Sequence, residues 1–160
     1  MDDRTLRTQL ANLLDSKDAH ATFEAAVDAV PFKTAALVPR LWQYSIWQLV
    51  EHIRIAQADI LDFTVNPGYE ERLKWPADFW PKARGPKTTA AWKNALADYR
   101  RDLEAMKEVV RTTPDLFAVV PRGQAHQTYL RNVLLLADHT AYHVGQIVAL
   151  RRQLGFWKAG

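Results

Sequence analysis

The stretch DHTAYHVGQ, residues 138–146, decides how this chain can fold, because it places two histidines four residues apart within an apolar helical pattern. His139 and His143 are preceded by VLLL at 133–136 and followed by IVAL at 147–150. A step of four residues rotates a helix by about 40° and advances it by about 6 Å, so both imidazoles project from one face. They are therefore either hydrogen-bonded core histidines or two members of a metal site.

Four segments show the 3.6-residue hydrophobic periodicity of amphipathic helices, so the sequence predicts an all-α, four-helix bundle forming one domain over residues 1–160. The predicted helices cover about residues 3–29, 45–65, 88–112 and 128–154. Ser45 and Gln48 match the S-x-x-Q pattern of a helix-starting capping box, and Gly155 stands where a helix-ending glycine belongs. Pro31 ends the first segment, and no strand pattern of comparable length is present.

The connection between the second and third predicted helices, about residues 66–88, is long for a loop in a helical bundle. A connection of this length can run along the bundle and leave these two helices parallel, which predicts an up-down-down-up order with a long crossover. Trp75, Phe79 and Trp80 stand among its several prolines, which is typical of a packed crossover rather than a disordered linker. Structural packing is the first interpretation of this segment, and a lid over a site is the alternative.

Composition excludes several kinds of site and disfavours several kinds of partner. Hydrophobic residues make up 48% of the 160 residues, enough for a compact core. The chain has no cysteine, which rules out disulfides, cysteine metal ligands and a cysteine nucleophile, and we expect a cytoplasmic protein. The net charge is only +3 and its basic residues are scattered, so we expect no nucleic-acid partner. No apolar run approaches the roughly 20 residues of a membrane span, so we expect no membrane association.

A third histidine strengthens the metal interpretation of the opening stretch. His52 lies within LVEHIRIAQ, residues 49–57, on the same predicted side as Leu49 and Ala56. Burying three histidines on facing helices without partners is costly, because each imidazole carries a polar donor and acceptor, and a shared divalent ion removes that cost. Three neutral imidazoles fit Zn, Ni, Fe or Co and leave coordination positions open, which is more typical of a catalytic than of a closed structural site.

Two known classes of metal site fit this spacing less well. A metalloprotease with H-E-x-x-H has a glutamate between its histidines, whereas Thr-Ala-Tyr separates the two histidines here, so the general base of that class is missing. A di-iron bundle needs Glu-x-x-His pairs from two helices. That spacing to a histidine is absent at Glu24, Glu51 and Glu104.

Four other polar positions and one acidic residue of the last helix are candidates to complete or border the site. His20 and Glu24, one turn apart in the first predicted helix, are candidates for a fourth ligand, for a residue that supports a ligand, or for a catalytic base. His126 lies in a polar turn before the last helix, where we expect it to be exposed. Asp59 lies about 10 Å along the predicted helix from His52, too far for both to bind the same ion. Asp138 is expected to form a salt bridge.

Three stretches of the chain resemble the DinB-like superfamily of metal-binding four-helix bundles, especially its DinB_2 branch. They are SIWQLVEHIRIAQADIL (45–61), WPADFWP (75–81) and LLLADHTAYHVGQIVALRRQLGFW (134–157). The resemblance covers nearly the whole chain and implies that the metal ligands are His52, His139 and His143. Related families include S-transferases that use bacillithiol or mycothiol and a mycothiol-dependent maleylpyruvate isomerase, in which the metal activates the thiol of a cosubstrate. The resemblance carries over no set of thiol-binding residues, and it implies a homodimer.

The sequence and the resemblance together indicate a divalent-metal-binding bundle, with Zn, Ni or Fe as the expected metals. We interpret it as a metal-dependent enzyme for a small-molecule substrate, either a thiol S-transferase or a hydrolase, because a metal can activate a thiol or a water. Any low-molecular-weight thiol must be external, since the chain has no cysteine. Tyr142 is a candidate catalytic residue, and Gln146 and Arg151 are candidates to orient a ligand. The alternative is a non-catalytic, stress-related bundle with a structural metal or a small-ligand-binding role.

Overall fold

The computed structural model describes residues 2–17 and 19–157, which form an all-helical bundle. Its helices are α1 Asp3–Asp15, α2 Phe23–Val27, α3 Ile46–Val65, α4 Thr89–Thr112 and α5 Tyr129–Gln153, with short 3-10 helices at Thr34–Ala36 and Ala77–Phe79. Within the described ranges there is no β-strand, only an isolated bridge between Val119 and Thr128. The predicted all-α fold class is confirmed.

The three long helices begin where the sequence predicts, because each has a side-chain cap. At the start of α3 the Ser45 hydroxyl accepts a hydrogen bond from the Gln48 backbone N–H (3.1 Å), and the Gln48 amide oxygen accepts one from the Ser45 N–H (3.2 Å). Thr88 and Thr128 cap α4 and α5 in the same manner, each accepting from a backbone N–H three residues on. Gly155, with φ +78°, follows the end of α5.

The prediction of one helix over residues 3–29 was wrong. Helix α1 ends at Asp15, because Ser16 takes up the left-handed conformation (φ 55°) and returns its N–H to the Leu13 carbonyl. The chain restarts as the short α2, whose cap is the Thr22 hydroxyl. Serine and threonine compete for backbone hydrogen bonds and so favour helix ends over helix interiors. The periodicity of the leucines hid this break.

Contacts between α3 and α4 show that these two helices run in the same direction. Trp47 lies beside Trp92, with ring centroids 6.2 Å apart. Further along both helices, the Gln57 side-chain amide donates to the Tyr99 carbonyl oxygen (2.6 Å). Since residue numbers increase together in the two pairs, α3 and α4 are parallel, as the length of the crossover predicts.

Helix α5 runs against α3, and this places the histidines of the two helices opposite one another. The rings of His52 and His143 are 4.6 Å apart, whereas the Asn132 amide donates to the Thr64 hydroxyl (3.0 Å) at the other end. Numbers therefore increase along α3 as they decrease along α5.

Helix α1 runs against α4 in the same way. The Arg7 guanidinium donates to the Val110 carbonyl oxygen (2.6 Å), and Asp15 forms an ion pair with Lys107, so numbers rise along α1 as they fall along α4. All of these pairings agree with an up-down-down-up order.

The apolar core holds the long helices in fixed positions. One buried cluster contains residues of α2, α3, α4 and α5, with Ile46, Tyr99 and Ile147 among them. A second cluster joins α1, α4 and α5 around Met106 and Leu136. Burying a side chain of this size contributes roughly 1.5–3 kcal/mol. Side chains that α3 and α5 present to each other are therefore carried on rigid supports.

The crossover between α3 and α4 packs along α3, which confirms the prediction of a packed segment. The Ser45 hydroxyl donates to the Arg84 carbonyl oxygen (2.6 Å), and the Gln48 amide donates to the Pro81 carbonyl oxygen (3.0 Å). Polar groups of α3 thus satisfy carbonyls of the crossover, and they fix this non-helical segment against the helix that carries His52.

One helix is more apolar than the sequence analysis expects. By length and composition alone α5 could cross a membrane, although half of its most apolar window is buried inside the bundle. The core helix of a bundle passes the same test, so this property is weak support for a membrane span.

Candidate metal centre

The three predicted metal ligands lie together between α3 and α5. His52, His139 and His143 each offer a ring nitrogen, and these nitrogens all lie within 4.8 Å of one another. The closest pair is Nε2 of His52 and Nε2 of His139, 3.0 Å apart. His52 and His143 are buried, at 1% and 6% exposure, and His139 is partly exposed. In the described part of the chain no other group of histidine, aspartate or glutamate side chains converges in this way.

Hydrogen bonds fix the tautomers of two of these histidines. Nδ1 of His52 lies 2.9 Å from the Phe79 carbonyl oxygen, and Nδ1 of His143 lies 2.7 Å from the side-chain oxygen of Gln146. Because both oxygens can only accept, each Nδ1 carries the proton and each Nε2 keeps its lone pair. A metal-ligating histidine almost always donates its second ring nitrogen to such an oxygen. The arrangement therefore suits coordination through Nε2.

His139 differs from the other two because its Nδ1 is buried without a hydrogen-bond partner among the described residues. Its Nε2 faces the lone pair on Nε2 of His52, so a protonated Nε2 can donate there when no ion is present. Two nitrogens bound to one tetrahedral zinc ion at 2.0–2.1 Å are about 3.3 Å apart. The observed 3.0 Å is close to that spacing, so His52 and His139 are suitably placed to share a divalent ion.

Burial keeps all three imidazoles in the neutral, ligating form. It lowers the pKa of His139 from 6.5 to about 4, and positive charge on the neighbouring His143 and His52 adds to the effect. The pKa of His52 is also lowered by burial, which outweighs the hydrogen bond to the Phe79 carbonyl, and the pKa of His143 is lowered by burial. A protonated histidine cannot bind a metal, so these shifts favour coordination near neutral pH.

Aromatic side chains surround the histidines on one side. Trp80 of the crossover stacks on His52 with centroids 3.8 Å apart and an interplanar angle of 7°, and Tyr44 stacks on the outer face of Trp80. Trp75 and Tyr142 stand at the edge of the group, 6.3 Å from the His52 ring and 4.9 Å from the His143 ring, and both are about two-thirds exposed. The stack restrains His52, and the two exposed rings border the histidine group.

The structure does not bring the candidates from the first predicted helix into this group. His20 is exposed and its Nδ1 lies 3.0 Å from the Ala21 carbonyl oxygen. Glu24 is exposed and forms a two-pronged ion pair with Arg100 of α4 at 2.6 and 2.8 Å. Neither contact supports the fourth-ligand prediction, and their catalytic roles stay predictions. His126 is exposed, as predicted.

The three candidate residues on α5 lie in different surroundings. Gln146 positions His143 through the hydrogen bond described above. Tyr142 lies beside the same ring, and its catalytic role stays a prediction. Arg151 is 6% exposed and donates to the carbonyl oxygens of Ala25 and Ala26, both at 2.9 Å. Burial lowers the pKa of Arg151, and its hydrogen bonds tie α5 to α2. Its role in orienting a ligand stays a prediction.

The two aspartates weighed from sequence lie outside the group. Asp59 accepts a hydrogen bond from the Tyr69 hydroxyl (3.0 Å) and is not among the converging residues, as its distance along the helix predicts. Asp138 is exposed and has no ion pair within the described ranges, so its salt bridge stays a prediction. Sequence reasoning missed the Phe79 carbonyl and the Trp80 stack. The aromatic content of the crossover was the only signal of them.

Comparison with known proteins bears on the same region. The family model described as Mycothiol-S-transferase matches residues 9–155, a span that contains all three histidines. No curated protein matches the chain, and no solved structure matches it. The match confirms the resemblance to the DinB-like superfamily, whereas the narrower DinB_2 branch stays a prediction. The chain belongs to the mycothiol S-transferase family, within the DinB-like superfamily of metal-binding helical proteins.

Proposed function

We propose that this protein is a metal-dependent thiol S-transferase that joins an external low-molecular-weight thiol to a small electrophile. His52, His139 and His143 would together bind one divalent cation, Zn, Ni or Fe. The observation that carries the proposal is the convergence of three neutral imidazole nitrogens, two of them with their lone pairs fixed by hydrogen bonds. The family match supports the choice of a thiol as cosubstrate.

A divalent cation, when bound, lowers the pKa of a thiol and so supplies the thiolate nucleophile. The thiol loses its proton, a sulfur–carbon bond forms at the electrophilic carbon, and the leaving group departs with its bonding electron pair. The protein's own contribution is orientation: the Phe79 carbonyl and the Trp80 ring hold His52, and Gln146 holds His143. Exposed Trp75 and Tyr142 offer apolar surface to the electrophile beside this centre.

The same geometry bears on two alternatives, a hydrolase and a protein with a structural metal site. A hydrolase of the metalloprotease kind takes its base from a glutamate between its two histidines, and Thr140, Ala141 and Tyr142 occupy those positions here. A closed structural site needs a fourth protein ligand, and none converges there within the described residues. Both observations favour the transferase, although a metal-bound water stays the chemical alternative in the same open position.

The test is a conjugation assay on protein reconstituted with Zn²⁺, Ni²⁺ or Fe²⁺. Mycothiol and bacillithiol would be supplied as thiols, with the fluorogenic alkyl bromide monobromobimane as electrophile. We expect thioether formation above the rate of the metal-free protein, loss of that gain in His139→Ala, and retention in the matched control His126→Ala. One bound metal per chain with no acceleration for either thiol would overturn the transferase proposal and favour the non-catalytic alternative.

We also propose a cytoplasmic location and a homodimer. Support for the location is the absence of cysteine from the sequence together with a reaction that needs a reduced thiol. Support for the dimer is the resemblance to DinB-like bundles that pair through their helices. Light scattering coupled to size-exclusion chromatography tests the dimer, and a mass of about 18.3 kDa, that of one chain, would contradict it.

A further inference from the structure

A small cavity lies between the faces of α3 and α5 that carry the three histidines, further along both helices. It has a volume of about 250 Å³ and is lined by residues of α3, α5, the crossover and the turn before α5. The lining residues include Asp59, Phe63, Tyr69, Glu71, Gln127 and Arg131. Ligand sites usually measure about 300–1,000 Å³, so this cavity suits one ring of a larger ligand.

The cavity is positioned about two helical turns from the candidate metal centre. Asp59 follows His52 by seven residues on α3, a rise of about 10 Å, and Leu135 of the cavity precedes His139 by one turn of about 6 Å on α5. The crossover forms a wall along both sites, with Tyr69 beside the cavity and Trp80 on the histidine. A ligand with its sulfur at the histidines would have to extend by about 10 Å along α3 to reach the cavity.

Charged groups in the cavity have no ionic partner among the residues that the structure describes. Asp59 is partly buried and accepts only the Tyr69 hydroxyl, on Oδ1, so Oδ2 has no hydrogen-bond partner in the described chain. Among the same residues Glu71 has no hydrogen bond or ion pair. Arg131 donates to the Asn132 side chain (3.0 Å) but forms no ion pair within residues 2–17 and 19–157. Burial raises the pKa of Asp59, as expected for a carboxylate without a cation beside it.

Aromatic rings complete the character of the cavity. Phe63 and Tyr69 pack edge to face with centroids 5.1 Å apart, and both line it. An apolar ring wall beside free carboxylate, guanidinium and amide groups matches a hydroxylated ring, which offers C–H surface on its face and hydroxyl groups at its edge. A purely anionic ligand would meet two carboxylates, and a purely apolar one would leave these polar groups unsatisfied.

We propose that this cavity binds the hydroxyl-rich body of the low-molecular-weight thiol, with Asp59, Glu71 and Arg131 as its polar contacts. The proposal rests on the S-transferase function above, and it assigns the specificity for one thiol over another to residues outside the metal centre. Asp59 and Glu71 accept hydrogen bonds from hydroxyl groups, and Arg131 donates to hydroxyl oxygens.

The test uses probes that cannot react. S-methylmycothiol keeps the hydroxylated body but has no free thiol, and S-methyl-N-acetylcysteine lacks that body. Isothermal titration calorimetry on the metal-free full chain measures both. We expect S-methylmycothiol to bind, Asp59→Asn and Arg131→Gln each to weaken it about tenfold, and S-methyl-N-acetylcysteine to bind weakly and equally to all variants. Matched controls are Asp62→Asn on α3 and Arg152→Gln on α5, both exposed and outside the cavity.

Each outcome separates this proposal from the proposed function. Arg131 is exposed, so Arg131→Gln keeps the test informative if Asp59→Asn does not fold. Absence of S-methylmycothiol binding, or equal binding by wild type and both cavity variants, would overturn the cavity proposal even if the wild type conjugates mycothiol. Binding that depends on Asp59 and Arg131, in a protein that conjugates no thiol, would keep the cavity and remove the transferase chemistry.

Discussion

Replacing Gln146 with leucine removes the hydrogen bond that orients His143 and leaves all three histidines in place. The Gln146 oxygen lies 2.7 Å from Nδ1 of His143. Because His143 is only 6% exposed, water cannot readily take the place of this oxygen as the hydrogen-bond acceptor. Leaving a buried N–H without an acceptor costs about 1–3 kcal/mol. Leucine has a similar size and a good helix propensity, so α5 should keep its structure.

We expect Gln146→Leu to weaken metal binding by about 10–100-fold, which corresponds to about 1.4–2.8 kcal/mol. The bond matters more in the metal-bound state, because coordination draws electron density from the imidazole and strengthens its N–H as a donor. Competition with a chromophoric chelator measures the affinity, and far-ultraviolet circular dichroism checks that the helices are intact.

The conservative variant Gln146→Glu supplies the control for this prediction. A carboxylate at this position accepts the same hydrogen bond and raises the basicity of the ligand, so metal affinity should equal or exceed that of the wild type. Gln146→Leu with wild-type affinity would show that the hydrogen bond does not orient the ligand. Equal losses in both variants would indicate that packing around residue 146, not the acceptor, controls the site.

Three further predictions address the histidines and their surroundings. His143→Ala should abolish stoichiometric metal binding in elemental analysis while helical content stays near that of wild type, and His126→Ala should change neither. The metal-free protein should lose stability as pH falls from 6.5 to about 4, because His139 takes up its proton at higher pH in the unfolded chain than in the folded one. Urea titrations at several pH values test this, and His139→Leu should make the free energy of unfolding less dependent on pH. Trp80→Ala removes the ring stacked on His52 and should lower the free energy of unfolding by about 2–3 kcal/mol in urea titrations as well as weaken metal binding; unchanged values would contradict a supporting role for the stack.

Local sequence signals predict the parts of this structure that local interactions decide. Ser45 and Gln48 satisfy the first backbone groups of α3 with their own side chains, so the pattern S-x-x-Q is enough to place the start of the helix. The spacing of His139 and His143 is equally local, since one helical turn fixes which face they share. Their approach to His52 follows only after α3 and α5 are assigned to facing positions.

Other features depend on contacts that are distant in sequence. The end of α1 at Asp15 depends on Ser16 adopting a positive φ and on the ion pair with Lys107 of α4, neither of which the leucine pattern reveals. Arg151 has the residue type of an anion binder, but its Nη1 donates to two carbonyls of α2. Such assignments require knowing which backbone groups lie within reach, and those groups come from elsewhere in the chain.

The crossover contributes groups to both the histidine site and the small cavity beyond it. Helices α3 and α5 can bring three imidazoles together, but a helix has no free backbone carbonyl in its interior to orient them, because each one accepts an intrahelical bond. The irregular crossover supplies that missing acceptor through Phe79, and its earlier residue Tyr69 faces the polar cavity. Under the two proposals above, we therefore expect substitutions near Tyr69 to alter the choice of thiol while the carbonyl that orients His52 is retained. Metal binding and thiol specificity would then change independently within one bundle.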